Sequence, residues 1–169
     1  MNLHRRLNDM GEAEATAAMK GCCGASRWAA AMVAARPFSD DLALFEAADA
    51  LWAQMARGDI LEAFEHHPRI GADIAHLREK FAATAELSAS EQSGVDGASE
   101  ETLERLRDGN LAYEARFGFI FIVCASGKSA GQMLELLEAR ISNESGVELG
   151  IAAAEQHKIT HLRLQRLVP

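Results

Sequence analysis

Apolar residues recur along most of this chain at gaps of one, three and four, the period of an amphipathic helix. Leu44, Phe45, Ala48, Leu51, Trp52 and Met55 draw one such stripe, with Ser39 or Asp40 placed to cap it and Gly58 placed to stop it. A second stripe passes through Leu103, Leu106, Tyr113 and Phe117, with Ser99 as its cap, Thr102 behind the cap and Asn110 on the same face. A third joins Met133, Leu134, Leu137 and Ile141, and the last spans about Ser145 to Val168 through Val147, Ile151, Ile159, Leu162 and Leu167. Two regions break the pattern. Residues 71–99 are interrupted and polar toward their end. Phe117 to Lys128 (FGFIFIVCASGK) is apolar, β-branched and short; alone it could be a buried strand, but without a second convincing strand to pair with it reads as an extended or irregular segment among helices. The expectation is an all-α chain in which residues 1–169 form a single compact multi-helix domain, with an irregular apolar segment near residues 117–128.

Charge and cysteine usage narrow the function. The net charge of -8 makes nucleic acid and anionic membranes poor partners, so an anionic substrate would need locally placed Arg or Lys. Cys22, Cys23 and Cys124 are odd in number and lack a repeated spacing, which fits a reducing, cytoplasmic setting better than a disulfide framework. The first residues, MNLHRRLNDMGEAEAT, have no apolar core of the signal-peptide kind, and no run approaches the roughly 20 apolar residues of a membrane span.

Three places carry candidate chemistry. In FEHHPRIGAD (64–73), His67 precedes Pro68 and is thereby pushed out of the α region, which puts it at a helix end. Imidazole titrates near neutrality and suits proton transfer; a capping or surface histidine is the alternative. In LSASEQSG (87–94), Ser88 and Glu91 have the form of a capping box, while Glu91 could also orient an imidazole and Gln92 could bind an amide or ureide. Arg163 stands four residues from both Ile159 and Leu167, on an apolar stripe where a charge needs a partner. That partner is either a structural carboxylate or a bound anion. Lys158 and Arg166 lie off the stripe and should face solvent. SGKS (126–129) lacks the earlier glycine of a phosphate loop, since Ile122 stands there. His66, His67 and His76 lack ligand spacing, so no metal site is expected. Cys22 and Cys23 read as core residues.

Five segments taken in order, CCGASRWAAAMVAARPF (22–38), HPRIG (67–71), SASEQSG (88–94), NLAYEARFGFIFIVCASGKS (110–129) and EQHKITHLRLQRL (155–167), resemble the 2-oxo-4-hydroxy-4-carboxy-5-ureidoimidazoline (OHCU) decarboxylases. The resemblance covers nearly all of residues 16–168. It implies an all-helical homodimer that needs no metal or organic cofactor and decarboxylates OHCU to (S)-allantoin in urate breakdown. It implies catalytic roles for His67, before the proline; for Glu91, which supports the histidine; and for Arg163, in the LRL stretch. Substrate contacts are implied at Pro68, at Ser88, Ala89, Ser90, Glu91 and Gln92, and at Phe121, Ile122, Val123, Cys124 and Ala125. Ile120 and Ser126 depart from residues common in that family, as do Arg69 and Ile70, and they bear on loop geometry rather than on the catalytic positions. The rival readings are a non-catalytic helical interaction module and a metal-dependent hydrolase built on the histidines.

Overall fold

The computed structural model describes residues 2–68, 74–75, 77–79 and 99–168. Among these residues the regular structure is helical, with no strand. In chain order the helices are α1 (Leu3–Asp9), α2 (Glu12–Cys22), α3 (Ser26–Ala34), α4 (Asp41–Trp52), α5 (Arg57–Glu65), α6 (Glu100–Phe117), α7 (Ala130–Arg140) and α8 (Ser145–Gln165). Residues 1–67 with 153–169 form one packing group, and residues 68–152 form a second.

In the first group, α2 and α4 both pack on α3, α5 also meets α3, and α1 meets α4. The shared core holds Leu7, Met19, Trp28, Met32, Leu44, Ala48, Ala63 and Leu164. Trp28 is fully buried, and its indole Nε1 donates to the Ala48 carbonyl at 3.2 Å, so its one polar atom is satisfied. Asp40 caps α4 as the sequence suggests, accepting from the Ala43 amide at 2.8 Å. Gly58 does not stop that helix. Ala53 ends α4, and Gly58 lies inside α5, whose first turn is held by the Ala56 amide donating to Asp59 Oδ2 at 2.9 Å. A side-chain cap three residues ahead outweighs the modest helix penalty of one glycine.

In the second group, α6 packs on α7. The Ser99 hydroxyl accepts from the Thr102 amide at 3.2 Å, and Leu103, Leu106, Tyr113 and Phe117 are buried as the stripe predicts. Gly118 ends α6 at φ 78°, a left-handed position that residues with a side chain rarely adopt, and its amide returns to the Glu114 carbonyl at 2.8 Å. The chain beyond it is irregular through residue 129, as expected. Ser129 then caps α7 in a reciprocal box with Gln132, which gives the SGKS stretch a structural role.

The last helix differs from expectation. Its fully buried residues are Glu148, Ala152, Gln156, Thr160 and Leu164, one every four positions, while Val147 is exposed and Ile151, Ile159 and Leu162 are only partly covered. The inward column is therefore mostly polar, rotated from the apolar one the sequence suggests. Arg163 borders it and is partly exposed, and Lys158 and Arg166 face solvent.

Candidate active site

In the first group His67 is bonded to Gln156 of α8, which in turn bonds Thr160. Helix α5 ends at Glu65, so His67 stands just past the helix end, and its amide donates to the Phe64 carbonyl at 3.1 Å. Close packing is allowed here by Gly24, in the turn between α2 and α3: a Cβ on it would lie 2.3 Å from the His66 ring. The His67 Nε2 meets Gln156 Oε1 of α8 at 2.5 Å.

The surrounding bonds fix which partner donates. The Thr160 hydroxyl gives its proton to the Gln156 main-chain carbonyl at 3.1 Å, so its oxygen accepts from the Gln156 side-chain Nε2 at 3.2 Å. That leaves the amide oxygen facing the imidazole, and Nε2 of His67 must carry the hydrogen. Nδ1 is then the basic nitrogen, and among the described residues it has no hydrogen-bond partner. Burial pushes the His67 pKa below the ordinary imidazole value, the Gln156 bond pulls partly back, and the charges of Arg163 and His66 add to the depression. The ring is thus held neutral, in one tautomer, near a cation.

The Arg163 guanidinium reaches the C-terminal end of α2, where one Nη donates to the carbonyls of Gly21 at 3.5 Å and Cys22 at 3.4 Å. A cation is favoured at that end of a helix. No carboxylate among the described residues pairs with it, so its remaining nitrogens can meet an anion. Cys22 and Cys23 line the same region and are buried. Burial pushes the Cys22 thiol up to about 12, and it also raises Cys23 against the lowering effects of the Ala25 amide, the Thr160 side chain and the nearby Arg163 charge. Both are protonated core thiols and not nucleophiles.

The residues expected from sequence divide as follows. His67 and Arg163 lie in one packing group, close enough for the cation to act on the imidazole. Pro68 follows His67 and is exposed. Ser88, Ala89, Ser90, Glu91 and Gln92 lie outside the described residues. Phe121, Ile122, Val123 and Cys124 are buried in the second group and Ala125 partly so. Within that segment the Ile122 carbonyl already accepts from Arg140 at 2.8 Å, and the carbonyls of Cys124 and Ala125 accept from the Lys128 ammonium at 2.7 Å and amide at 3.1 Å. Each of those three carbonyls thus carries one internal hydrogen bond. Gln156 and Thr160 are functional candidates that the sequence reading missed. Their signal was a pair of polar residues four apart on the helix that carries Arg163.

Behind the irregular segment stands a buried charge network. Glu148 is fully buried and accepts from Arg140 Nε at 2.7 Å and Nη2 at 2.5 Å, from the Tyr113 hydroxyl, and from Asn143 Nδ2 at 3.0 Å. Arg140 also lies 4.6 Å from the centre of the Phe121 ring. Both carboxylate oxygens of Glu148 and all three guanidinium nitrogens of Arg140 have partners, as a buried pair requires.

The family model described as OHCU decarboxylase matches residues 8–165. The chain is 41% identical over 150 residues to the Uric acid degradation bifunctional protein TTL of Arabidopsis thaliana; the match covers 88% of this chain and 45% of that protein. It is 38% identical over 73 residues to a 2-oxo-4-hydroxy-4-carboxy-5-ureidoimidazoline decarboxylase of Xenopus laevis, covering 43% and 42% of the two chains. The matched region thus spans less than half the length of these two relatives. A crystal structure of OHCU decarboxylase in the presence of (S)-allantoin superposes with a TM-score of 0.71 at 38% identity, over 88% of this chain and 94% of that one.

Proposed function

Because this chain belongs to the OHCU decarboxylase family, we propose that it decarboxylates 2-oxo-4-hydroxy-4-carboxy-5-ureidoimidazoline to (S)-allantoin, with His67 as the acid–base group. The observation that carries this reading is the His67 ring held by Gln156 through Nε2 and close to the Arg163 cation, with burial favouring its neutral form.

The substrate carries its carboxylate and a hydroxyl on one carbon, beside an unsaturated ring carbon. When the bond to the carboxylate breaks, its electron pair can pass into the ring system. The protein's task is to orient the carboxylate, handle one proton and add another to a single face. In this proposal Nδ1 of His67 takes and returns the proton. Gln156 keeps Nε2 protonated throughout, and its oxygen bonds the imidazolium more strongly than the neutral ring. Arg163, anchored by helix carbonyls, offers its other nitrogens to the substrate's negative charge.

Glu91 keeps a supporting role on the strength of its motif match, as do Ser88 to Gln92, Pro68 and Phe121 to Ala125 as substrate contacts. The same match supports reading residues 1–169 as one domain and a homodimeric assembly, and the cysteine usage supports a cytoplasmic home. Among the described residues, no helix is long and apolar enough to cross a membrane.

OHCU decays unaided to racemic allantoin, so the test follows product handedness. With freshly generated OHCU, circular dichroism should show (S)-allantoin from the parent protein and a rate lower by about 10²–10⁴-fold for His67→Asn. Racemic product from the parent, or an undiminished stereospecific rate in the variant, overturns the proposal.

A further inference from the structure

A second cluster of ligating groups lies in the first packing group and shares no residue with the site assigned to OHCU. His157 and His161 are one turn apart on α8, so they share a face. Their Nε2 atoms both converge on one oxygen of Asp49, from α4, at 2.7 and 2.6 Å. One ligating atom from each of the three residues lies within 4.8 Å of the others. The three side chains are 22%, 31% and 56% exposed, which leaves room for water to complete a coordination shell.

The imidazoles are held in place by α4. The His157 ring is parallel to Trp52 within 1°, with centroids 6.0 Å apart, and Trp52 Nε1 is itself fixed by the Ala153 carbonyl at 3.2 Å. His161 lies against Phe45, with ring centroids 5.0 Å apart. Phe45, Asp49 and Trp52 occupy one face of α4, so the helix supplies the carboxylate and both walls. His157 Nδ1 is buried without a hydrogen-bond partner. A proton moved there from Nε2 therefore breaks no bond at Nδ1.

We propose that Asp49, His157 and His161 form a binding site for one divalent transition-metal ion of the zinc, nickel or copper class. Two imidazoles and one carboxylate are the donors such ions prefer, and magnesium or calcium would want an all-oxygen set. Ligation through Nε2 shifts each ring to its Nδ1–H tautomer. The ion then replaces the two N–H hydrogens now directed at Asp49, and neutral rings release no net proton. The Zn–N distance of about 2.0–2.1 Å requires the exposed Asp49 side chain to turn slightly outward. The bound ion clasps α4 to α8, the helix that also carries Gln156 and Arg163.

The test uses the full chain without an affinity tag. Calorimetric titration with zinc chloride should give one ion per chain. Titration with nickel or copper should quench tryptophan fluorescence, since Trp52 stacks on a ligand, and zinc should raise the melting temperature. His161→Gln and Asp49→Asn, at surface-reachable positions, should keep the helical circular dichroism and weaken zinc at least tenfold; His67→Asn should bind as the parent does. Absence of stoichiometric binding, or equal affinity in parent and His161→Gln, overturns the proposal. Loss of binding in His67→Asn with retention in His161→Gln would overturn it too, by placing the ion elsewhere.

Discussion

Replacing Arg140 with methionine tests the reasoning about the buried charge network. The substitution keeps much of the side-chain volume but leaves the Glu148 carboxylate, which has no solvent contact, without its cation. Two charge-assisted hydrogen bonds to Glu148 disappear, at 2.7 and 2.5 Å, and the Ile122 carbonyl loses its 2.8 Å donor. Among the described residues, only the Tyr113 and Asn143 donors remain to Glu148. Removing one partner of a buried pair costs about 3–5 kcal/mol. For a chain of this size each kcal/mol moves the melting temperature by roughly 2–4 °C, so Arg140→Met should melt about 6–20 °C lower. Urea denaturation and calorimetry read this directly. Adding Glu148→Gln removes the stranded charge while keeping an acceptor for Tyr113, so the double variant should regain part of the loss. A penalty below about 1 kcal/mol, or a double variant no better than the single one, would refute the account of an obligatory pair.

The Gln156 bond should govern the acid limb of the reaction. The kcat/KM profile of the parent should fall with a midpoint below 6.5, the ordinary imidazole value, because burial favours the neutral ring. Gln156→Leu removes the one interaction among the described residues that raises the His67 pKa and should move that limb to lower pH; Gln156→Glu should move it upward, and a limb that stays put in both variants rejects the assignment. The same depressed pKa means the folded state binds fewer protons than the unfolded chain, so stability from this group is present above pH 6.5 and lost as pH falls below it, readable by melting scans. Arg163→Ala should raise KM more than it lowers melting temperature; a purely thermal effect assigns the residue to the α2 end alone. Cys22 and Cys23 should resist iodoacetamide at pH 8 in the native protein and react after denaturation, followed by mass spectrometry.

Legibility from sequence followed the range of the interactions. Asp40 and Ser99 are read correctly because a cap needs only an oxygen and an amide three residues on. The stripe at Leu103, Leu106, Tyr113 and Phe117 holds because its apolar side chains are the ones that get buried. Helix α8 defeats the same logic: its inward positions are Glu148, Gln156 and Thr160, whose partners Arg140 and His67 lie elsewhere in the chain. A hydrophobic pattern cannot report a buried face that is satisfied by hydrogen bonds. Asp49 with His157 and His161 was out of reach for a further reason, since more than a hundred residues separate the carboxylate from the imidazoles. Gly58 misled because glycine punctuates helices on average and is tolerated in one whose first turn is well capped.

The four-residue rhythm of α8 makes that helix a ruler. Each residue turns it by about 100°, so inserting or deleting one between Gln156 and Leu164 would swing Thr160, Arg163 and Leu164 away from their neighbours together. Substitutions along its outer face can drift freely. Its length between those positions cannot, and related chains should vary in their loops while keeping this span free of gaps.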